Sequence, residues 1–270
     1  MPKCSIITVC YNNRDGLRQT AESVRRQTFT DYEFIVLDGG STDGSAELLK
    51  EYSDIIKYGV SEKDGGIYNA MNKGIAQASG EYCIFLNSGD WFTDMDVLQR
   101  IFSKEYDEDI LYGNVIRTLG QKKKIVRYPG HLTFEHFYRR SAVIHHQASF
   151  IKRTLFEKFG LYREDLYLNA DWQFFFKSIA LGKASTRHID TVVSVCNALG
   201  RSNAYDPDDL RIAYDREEKL KSLKMANPDA KLRETDKKDI KFYLSKCGWN
   251  LSVVVPISLF VKIGKRCLKD

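Results

Sequence analysis

The chain has 270 residues, 43% of them hydrophobic and 29% charged, enough for a packed core in one large domain or two small ones. No window approaches the roughly 20 apolar residues of a spanning helix, and six cysteines without a Cys-x-x-Cys pair argue against a disulfide scaffold or a zinc site. The net charge of +5 is uneven: Lys219 to Asp270 holds 13 Lys/Arg against 5 Asp/Glu, a basic tail that suits anionic lipid better than nucleic acid, since it has few interleaved aromatics.

Met1-Pro2-Lys3 leads straight into the apolar run Cys4–Tyr11, so no signal peptide opens the chain and a cytoplasmic location is expected. That run reads as a buried strand, and Glu33–Leu37, Ile55–Val60 and Tyr82–Asn87 read as three more. Between them lie helical patterns: Leu17, Ala21 and Val24 share one face, then come Ala46–Tyr52 and Ile67–Ala78, the last stopped by Gly80. Such alternation predicts an α/β fold with a mostly parallel sheet and helices on both faces. Ligands of these sheets bind beyond the carboxyl ends of the strands. Four polar segments fall there: Tyr11-Asn12-Asn13, Asp38–Gly44, Ser61–Gly66 and Asn87–Asp90. Together they predict a ligand cleft.

Farther on, Asp109–Thr118 and Lys122–Tyr128 predict a hairpin turning at Gly120-Gln121, with Lys122-Lys123-Lys124 solvated. Thr154-Leu155-Phe156-Glu157 has the spacing of a capping box, and Asp171–Leu181 predicts a helix ended by Gly182. The polar stretch Asn197–Asp209 reads as a lid, and helical patterns follow from Leu210 to Met225 and again from Asp236. Trp249–Ile263 is apolar, interrupted by Pro256 and flanked by lysines; it reads as an interfacial segment or as a terminal helix packed on the domain.

The runs Ser5–Asn12, Leu37–Gly44, Glu62–Gly74, Gly80-Glu81-Tyr82, Phe85–Asp90, His146-Gln147 and Ala170-Asp171-Trp172, in that order, resemble the family 2 glycosyltransferases. The resemblance covers roughly the first 200 residues. It implies a GT-A fold over residues 1–205, with a nucleotide-binding half at 1–100 and an acceptor-binding half at 101–205, followed by a helical basic extension at 206–270. It also implies an inverting transfer from a nucleotide-sugar donor, UDP-linked by preference, to a saccharide acceptor, lipid-linked and destined for surface polysaccharide.

Chemistry and resemblance together nominate the site residues. Asp38 at a strand end suits a base or ribose donor, with an Asx turn or cap as the alternative; the family favours uracil. Tyr11 suits stacking on the base, or is an ordinary half-buried tyrosine. Asp64 reads as a nucleotide contact or a turn former, and Asp43 as a helix cap. Asn72 lies on the following helix within the family pattern, and beside it Lys73 faces water. Asn87-Ser88-Gly89-Asp90 stands where the family has Asp-x-Asp, so one carboxylate replaces two. Mg2+ or Mn2+ needs only one or two carboxylates when substrate phosphates complete its shell, which nominates Asp90 as ligand with Asn87 assisting; the alternative, Asp90 as a helix cap, is weakened by Thr93, which reads as the better cap. Asp171 matches the family's general base, although Ala170 removes the acid that precedes it there. Trp172 and Phe174-Phe175-Phe176 would raise its pKa by desolvation. Resemblance puts His146 and Gln147 near the acceptor or the donor phosphate, and Arg201 in a loop over the diphosphate. The rivals are a sugar nucleotidyltransferase, which would want a richer Gly-rich first loop, and a non-catalytic nucleotide-sugar scaffold, motivated by the missing acids.

Overall fold

Seven consecutive buried residues, Cys4–Cys10, form β1, and their unbroken apolar run reflects a strand covered on both faces. In this computed structural model, residues 1–139, 144–197, 215, 218–219, 221–225 and 227 are described. The chain divides into two units, Met1–Glu164 with Ala170–Gly200, and Asp165–Asn169 with Arg201–Asp270.

In the first unit β1 pairs in parallel with β2 (Tyr32–Asp38) on one side and with β4 (Tyr82–Phe85) on the other; β3 (Ile56–Ser61) extends the sheet in parallel beside β2. The crossovers are α1 (Arg14–Arg25), α2 (Ser45–Glu51) and α3 (Ile67–Gln77). α1 buries Leu17, Ala21 and Val24 as their spacing predicts. Gly74 lets α3 lie close on the sheet, since a Cβ there would sit 2.5 Å from Ile7 Cγ2 and 3.0 Å from Leu37 Cδ2. Glu33 fastens the opposite end of these strands: its carboxylate accepts from Ser5 Oγ at 2.6 Å, Ser79 N–H at 2.6 Å and Gly80 N–H at 3.1 Å.

Beyond β4 the sheet becomes mixed. β5 (Trp91–Phe92) and α4 (Val97–Ile101) come first, then β6 (Ile110–Leu119), β7 (Lys122–Val126) and α5 (Phe134–Arg139). A 3-10 turn at His146–Ala148 leads into β8 (Ser149–Lys152), α6 (Thr154–Phe159), α7 (Ala170–Phe175) and β9 (Thr186–Asn197). The strand order is β3-β2-β1-β4-β8-β6-β9-β5, with β7 paired to β6 as the expected hairpin. β8 is antiparallel to both β4 and β6, whereas β9 runs parallel to β6.

Three local expectations need correction. Thr154 is the first residue of α6 rather than its cap, and Glu157 pairs instead with Arg153 at 2.7 Å. Thr93 caps nothing, because its hydroxyl donates to the Val192 carbonyl at 2.7 Å and α4 begins only after Asp96. The helix expected over Asp171–Leu181 changes pitch: α7 passes into a π-helical turn at Phe176–Leu181. Trp172 and Phe176 stack there at 5.1 Å, and Ser178 Oγ donates to the Phe174 carbonyl.

In the second unit, the buried Asp215 accepts backbone N–H bonds from Tyr167, Leu168 and Asn169 at 2.8, 2.5 and 3.1 Å. Of the helix expected from Leu210 to Met225, the described residues 215, 218–219 and 221–225 are helical, whereas most of the expected lid, the helix expected from Asp236 and the apolar Trp249–Ile263 run lie outside the described residues. No described helix is long and apolar enough to cross a membrane.

Candidate active site

The four strand-end segments meet. Asn12 N–H donates to Ser41 Oγ at 2.7 Å, and Thr42 N–H returns a bond to Asn12 Oδ1 at 2.9 Å, joining the loops after β1 and β2. Asp43 accepts from Arg14 N–H and Ser45 N–H, which begin α1 and α2, so its capping role holds for two helices at once. A Cβ on Gly39 would lie 2.8 Å from Asp64 Oδ2 and 3.3 Å from Tyr11 Cδ2, so the loops after β1, β2 and β3 converge at this glycine. Asn13 Nδ2 donates to the Ser88 carbonyl at 2.9 Å and adds the loop after β4.

Each nominated residue takes a definite position around that junction. Asp38 is buried and already accepts from Ser41 N–H at 3.0 Å, Ser41 Oγ at 2.5 Å and Ser61 Oγ at 2.5 Å, the Asx-turn arrangement. Tyr11 is 67% exposed rather than half-buried, leaving its ring open for stacking. Asp64 Oδ1 accepts from Gly66 N–H at 2.8 Å, while Oδ2 faces Gly39. Asn72 is committed within the fold: its amide donates to the Tyr162 carbonyl and to Glu164, and its oxygen accepts from Tyr162 N–H. Lys73 pairs with Glu62 at 2.6 Å. Arg201 lies outside the described residues.

At the far end of the loop after β4, Asp90 is buried and receives Gln147 Nε2 at 3.2 Å on its Oδ2. Two neutral oxygens, Asn87 Oδ1 and Gln147 Oε1, are buried here without a hydrogen-bond partner. Leaving such groups unpaired costs about 1–3 kcal/mol each, so their presence calls for a ligand. Among the described residues there is no group of three or more His, Cys, Asp or Glu that could hold a metal. The donor set here is one carboxylate with two amide oxygens, all hard ligands, and it fits Mg2+ or Mn2+ whose remaining positions belong to phosphate and water.

Asp171, at the start of α7, accepts from His146 Nδ1 at 3.0 Å on Oδ2, and from its neighbour Trp172 N–H at 2.8 Å and Tyr68 Oη at 3.4 Å on Oδ1. Burial pushes its carboxyl up, but the His146 hydrogen bond and charge and the Trp172 N–H outweigh burial and hold it below the ordinary value. The rise expected from aromatic desolvation alone is thereby corrected. His146 Nε2 also lies 3.3 Å from Asn87 Nδ2. The consecutive residues His146 and Gln147 thus touch Asp171 and Asp90 respectively, which brings both carboxylates to one site. The preceding His145 faces Tyr128 instead. Burial, then the charges of His146 and Arg117, push His145 down to about 4, leaving it neutral at pH 7.

Sequence reasoning missed Tyr68, Arg117 and Glu164. Tyr68 stands one position into α3, inside the Glu62–Gly74 motif, but nothing in that motif singles it out. Arg117, on β6, is close enough for its charge to work toward a lower pKa at both His145 and Cys196. Glu164 is clasped by Asn69 and Asn72 of α3 at 2.9 and 2.8 Å; the paired asparagines were the one available signal.

Residues 5–168 match the model of the family described as glycosyl transferase family 2. A PGL/p-HBAD biosynthesis glycosyltransferase of Mycobacterium bovis is 31% identical over 206 residues, covering 74% of this chain and 78% of that protein. The crystal structure of Staphylococcus aureus TarS 1–349 in complex with UDP-GlcNAc matches 90% of this chain and 71% of that one with a TM-score of 0.66 at 20% identity. The mannosyltransferase PcManGT from Pyrobaculum calidifontis, in complex with GDP-Man and Mn2+, matches all of this chain and 81% of that one with a TM-score of 0.60 at 16% identity. These likenesses establish the GT-A architecture of the curled, mostly parallel sheet.

Proposed function

Because the chain belongs to glycosyl transferase family 2, we propose that it moves a sugar from a nucleoside diphosphate, UDP by preference, to a hydroxyl of a saccharide acceptor with inversion at the anomeric carbon. The observation that carries this reading is the His146-Gln147 bridge between Asp171 and Asp90. Tyr11 and Asp64, around Gly39, offer a stacking ring and a carboxylate to the base and ribose, while Asp38 fixes the loop that receives them. Mg2+ or Mn2+, held by Asp90 with Asn87 and Gln147 beside it, supplies neutralisation of the diphosphate charge when bound. Arg201 adds a second positive charge for the leaving group.

Asp171 is the general base. His146, Tyr68 and the Trp172 N–H fix its orientation and keep it ionised at neutral pH. The acceptor oxygen forms its bond to the anomeric carbon as the bond from that carbon to the phosphate oxygen breaks. The electron pair leaves with the diphosphate, and the hydroxyl proton passes to Asp171. A hydroxyl becomes acidic only as it attacks, so a carboxylate with a low pKa suffices to take the proton late.

The proposed catalytic domain is 1–205, with 206–270 as a basic extension that keeps the enzyme at the cytoplasmic face of a membrane. The lipid-linked acceptor draws support from the mycobacterial relative, whose name places it in PGL/p-HBAD biosynthesis. Asp171→Asn tests the mechanism: turnover falls about 10²–10⁴-fold while nucleotide affinity is retained. Turnover and affinity both unchanged would remove Asp171 from the reaction. Slow donor hydrolysis by the native protein, lost in Asp90→Ala, disposes of the scaffold reading.

A further inference from the structure

The β6–β7 hairpin ends in a tip that the active site does not use. Its register pairs Leu119 with Lys122, Thr118 with Lys123 and Arg117 with Lys124 across the turn at Gly120-Gln121. Gly120 takes φ +56 at the first central position of that turn, and a Cβ there would meet nothing within 4 Å, so the tip projects into open space. Paired residues share a face. Lys122 and Lys124 therefore lie with Leu119 on one face, and Lys123 lies with Ile125 on the other. All five side chains are exposed, Leu119 at 55% and Ile125 at 46%.

The charge is equally one-sided. No Asp or Glu occurs from Ile110 to Tyr128, a stretch that also contains Arg127. Arg18, Lys73 and Arg187, by contrast, each pair with an acid, Glu51, Glu62 and Glu108 respectively. Lysines on an edge strand also deter sheet-to-sheet pairing, but that role gives no reason to leave two large aliphatic side chains in water beside them.

We propose that this hairpin tip is a docking element for an anionic lipid bilayer. The lysine ammonium groups meet lipid phosphates, while Leu119 and Ile125 enter the headgroup boundary. Cations with interleaved aliphatic side chains are the composition such interfaces select. A nucleic acid or an acidic protein would use the lysines and leave the aliphatic pair unexplained. The element is separate from the basic extension at 206–270, and its binding requires neither donor nor catalysis.

The test is sedimentation of the full chain with vesicles of phosphatidylcholine containing about one third phosphatidylglycerol, against vesicles of phosphatidylcholine alone. The native protein partitions to the anionic vesicles, and added salt releases it. Lys122→Gln/Lys123→Gln/Lys124→Gln lowers the partition coefficient by about 10²-fold, from roughly fivefold per basic residue. Leu119→Ser/Ile125→Ser lowers it as well at unchanged charge. The charge-matched variant Lys57→Gln/Lys104→Gln/Lys158→Gln changes it several-fold at most. Equal losses in the two lysine triples, native partition in the hairpin triple, or equal binding to both vesicle types would overturn the proposal. A hairpin triple that self-associates on size exclusion yet binds vesicles normally would assign the lysines to edge protection instead. Circular dichroism and the thermal response to nucleotide identify any variant that fails to fold, and in that case the Leu119→Ser/Ile125→Ser pair decides.

Discussion

Gly39 is small where Tyr11 and Asp64 close in, and the proposed nucleotide end of the site depends on that. An alanine there needs no unusual backbone angle, but its Cβ would press Asp64 Oδ2 at 2.8 Å and Tyr11 at 3.3 Å. Gly39→Ala should leave the melting temperature nearly unchanged, since only flexible side-chain ends must yield, and should weaken nucleotide binding about tenfold, or ~1.4 kcal/mol. Calorimetry with UDP checks this; native affinity would move the nucleotide away from the junction. Glu33 carries a different prediction. Burial pushes its carboxyl up, but the bonds from Ser5, Ser79 and Gly80 outweigh burial and the net shift is downward. A depressed folded pKa contributes stability that is complete above the unfolded value of about 4.5 and fades as pH falls through the folded value. The urea midpoint of native protein should therefore exceed that of Glu33→Gln by a constant margin at neutral pH, and the margin should shrink toward pH 3. A margin independent of pH would show that the ionised form does not hold this corner together. Nothing in the sequence distinguished Glu33, since a single Glu in an apolar strand looks like any solvent-facing residue. The partners that make it structural lie 28 and 46 residues away.

Among the elements, the parallel half of the sheet was legible because β1, β2 and β4 are buried apolar runs and α1 has a single buried stripe. The mixed half was not. β8 has four residues and β5 two, too short for any period to register, and both owe their existence to distant partners. The π-helical turn after α7 was not legible either, because a 3.6-residue pattern does not encode a change of pitch within one apolar run. The site divides along the same line. Its strand-end loops were visible as motifs, whereas the contact of His146 with Asp171 spans 25 residues and depends on the mixed half. α3 gives the element-scale test. Gly74→Ala gains roughly 1 kcal/mol of helix propensity, yet drives a Cβ to 2.5 Å from Ile7 on β1. Overpacking of a core typically costs about 1–3 kcal/mol, so urea denaturation should report net destabilisation on the order of 1 kcal/mol. A stabilised variant would mean that α3 rides higher on the sheet.

For the molecule as a whole, donor binding and metal binding should be read through stability. A ligand that binds only the folded chain at about 100 times its Kd adds roughly 2.7 kcal/mol. For a unit of this size that raises the melting temperature by about 5–10 °C, at ~2–4 °C per kcal/mol. The nominated site residues, Arg201 apart, belong to the first of the two units, so the shift should appear chiefly in that unit's transition. UDP with Mn2+ should give the full rise in native protein. In Asp90→Ala the part contributed by Mn2+ should vanish while a smaller, metal-independent rise from the base and ribose contacts survives. Asp171→Asn should keep the whole response, because the proposed role of its carboxylate is to take the acceptor's proton, not to bind the diphosphate. If UDP, GDP and dTDP all leave the transition where it was, the loop junction at Gly39 binds no nucleotide. If Asp90→Ala responds as the native chain does, the unpartnered amide oxygens of Asn87 and Gln147 await something other than a cation.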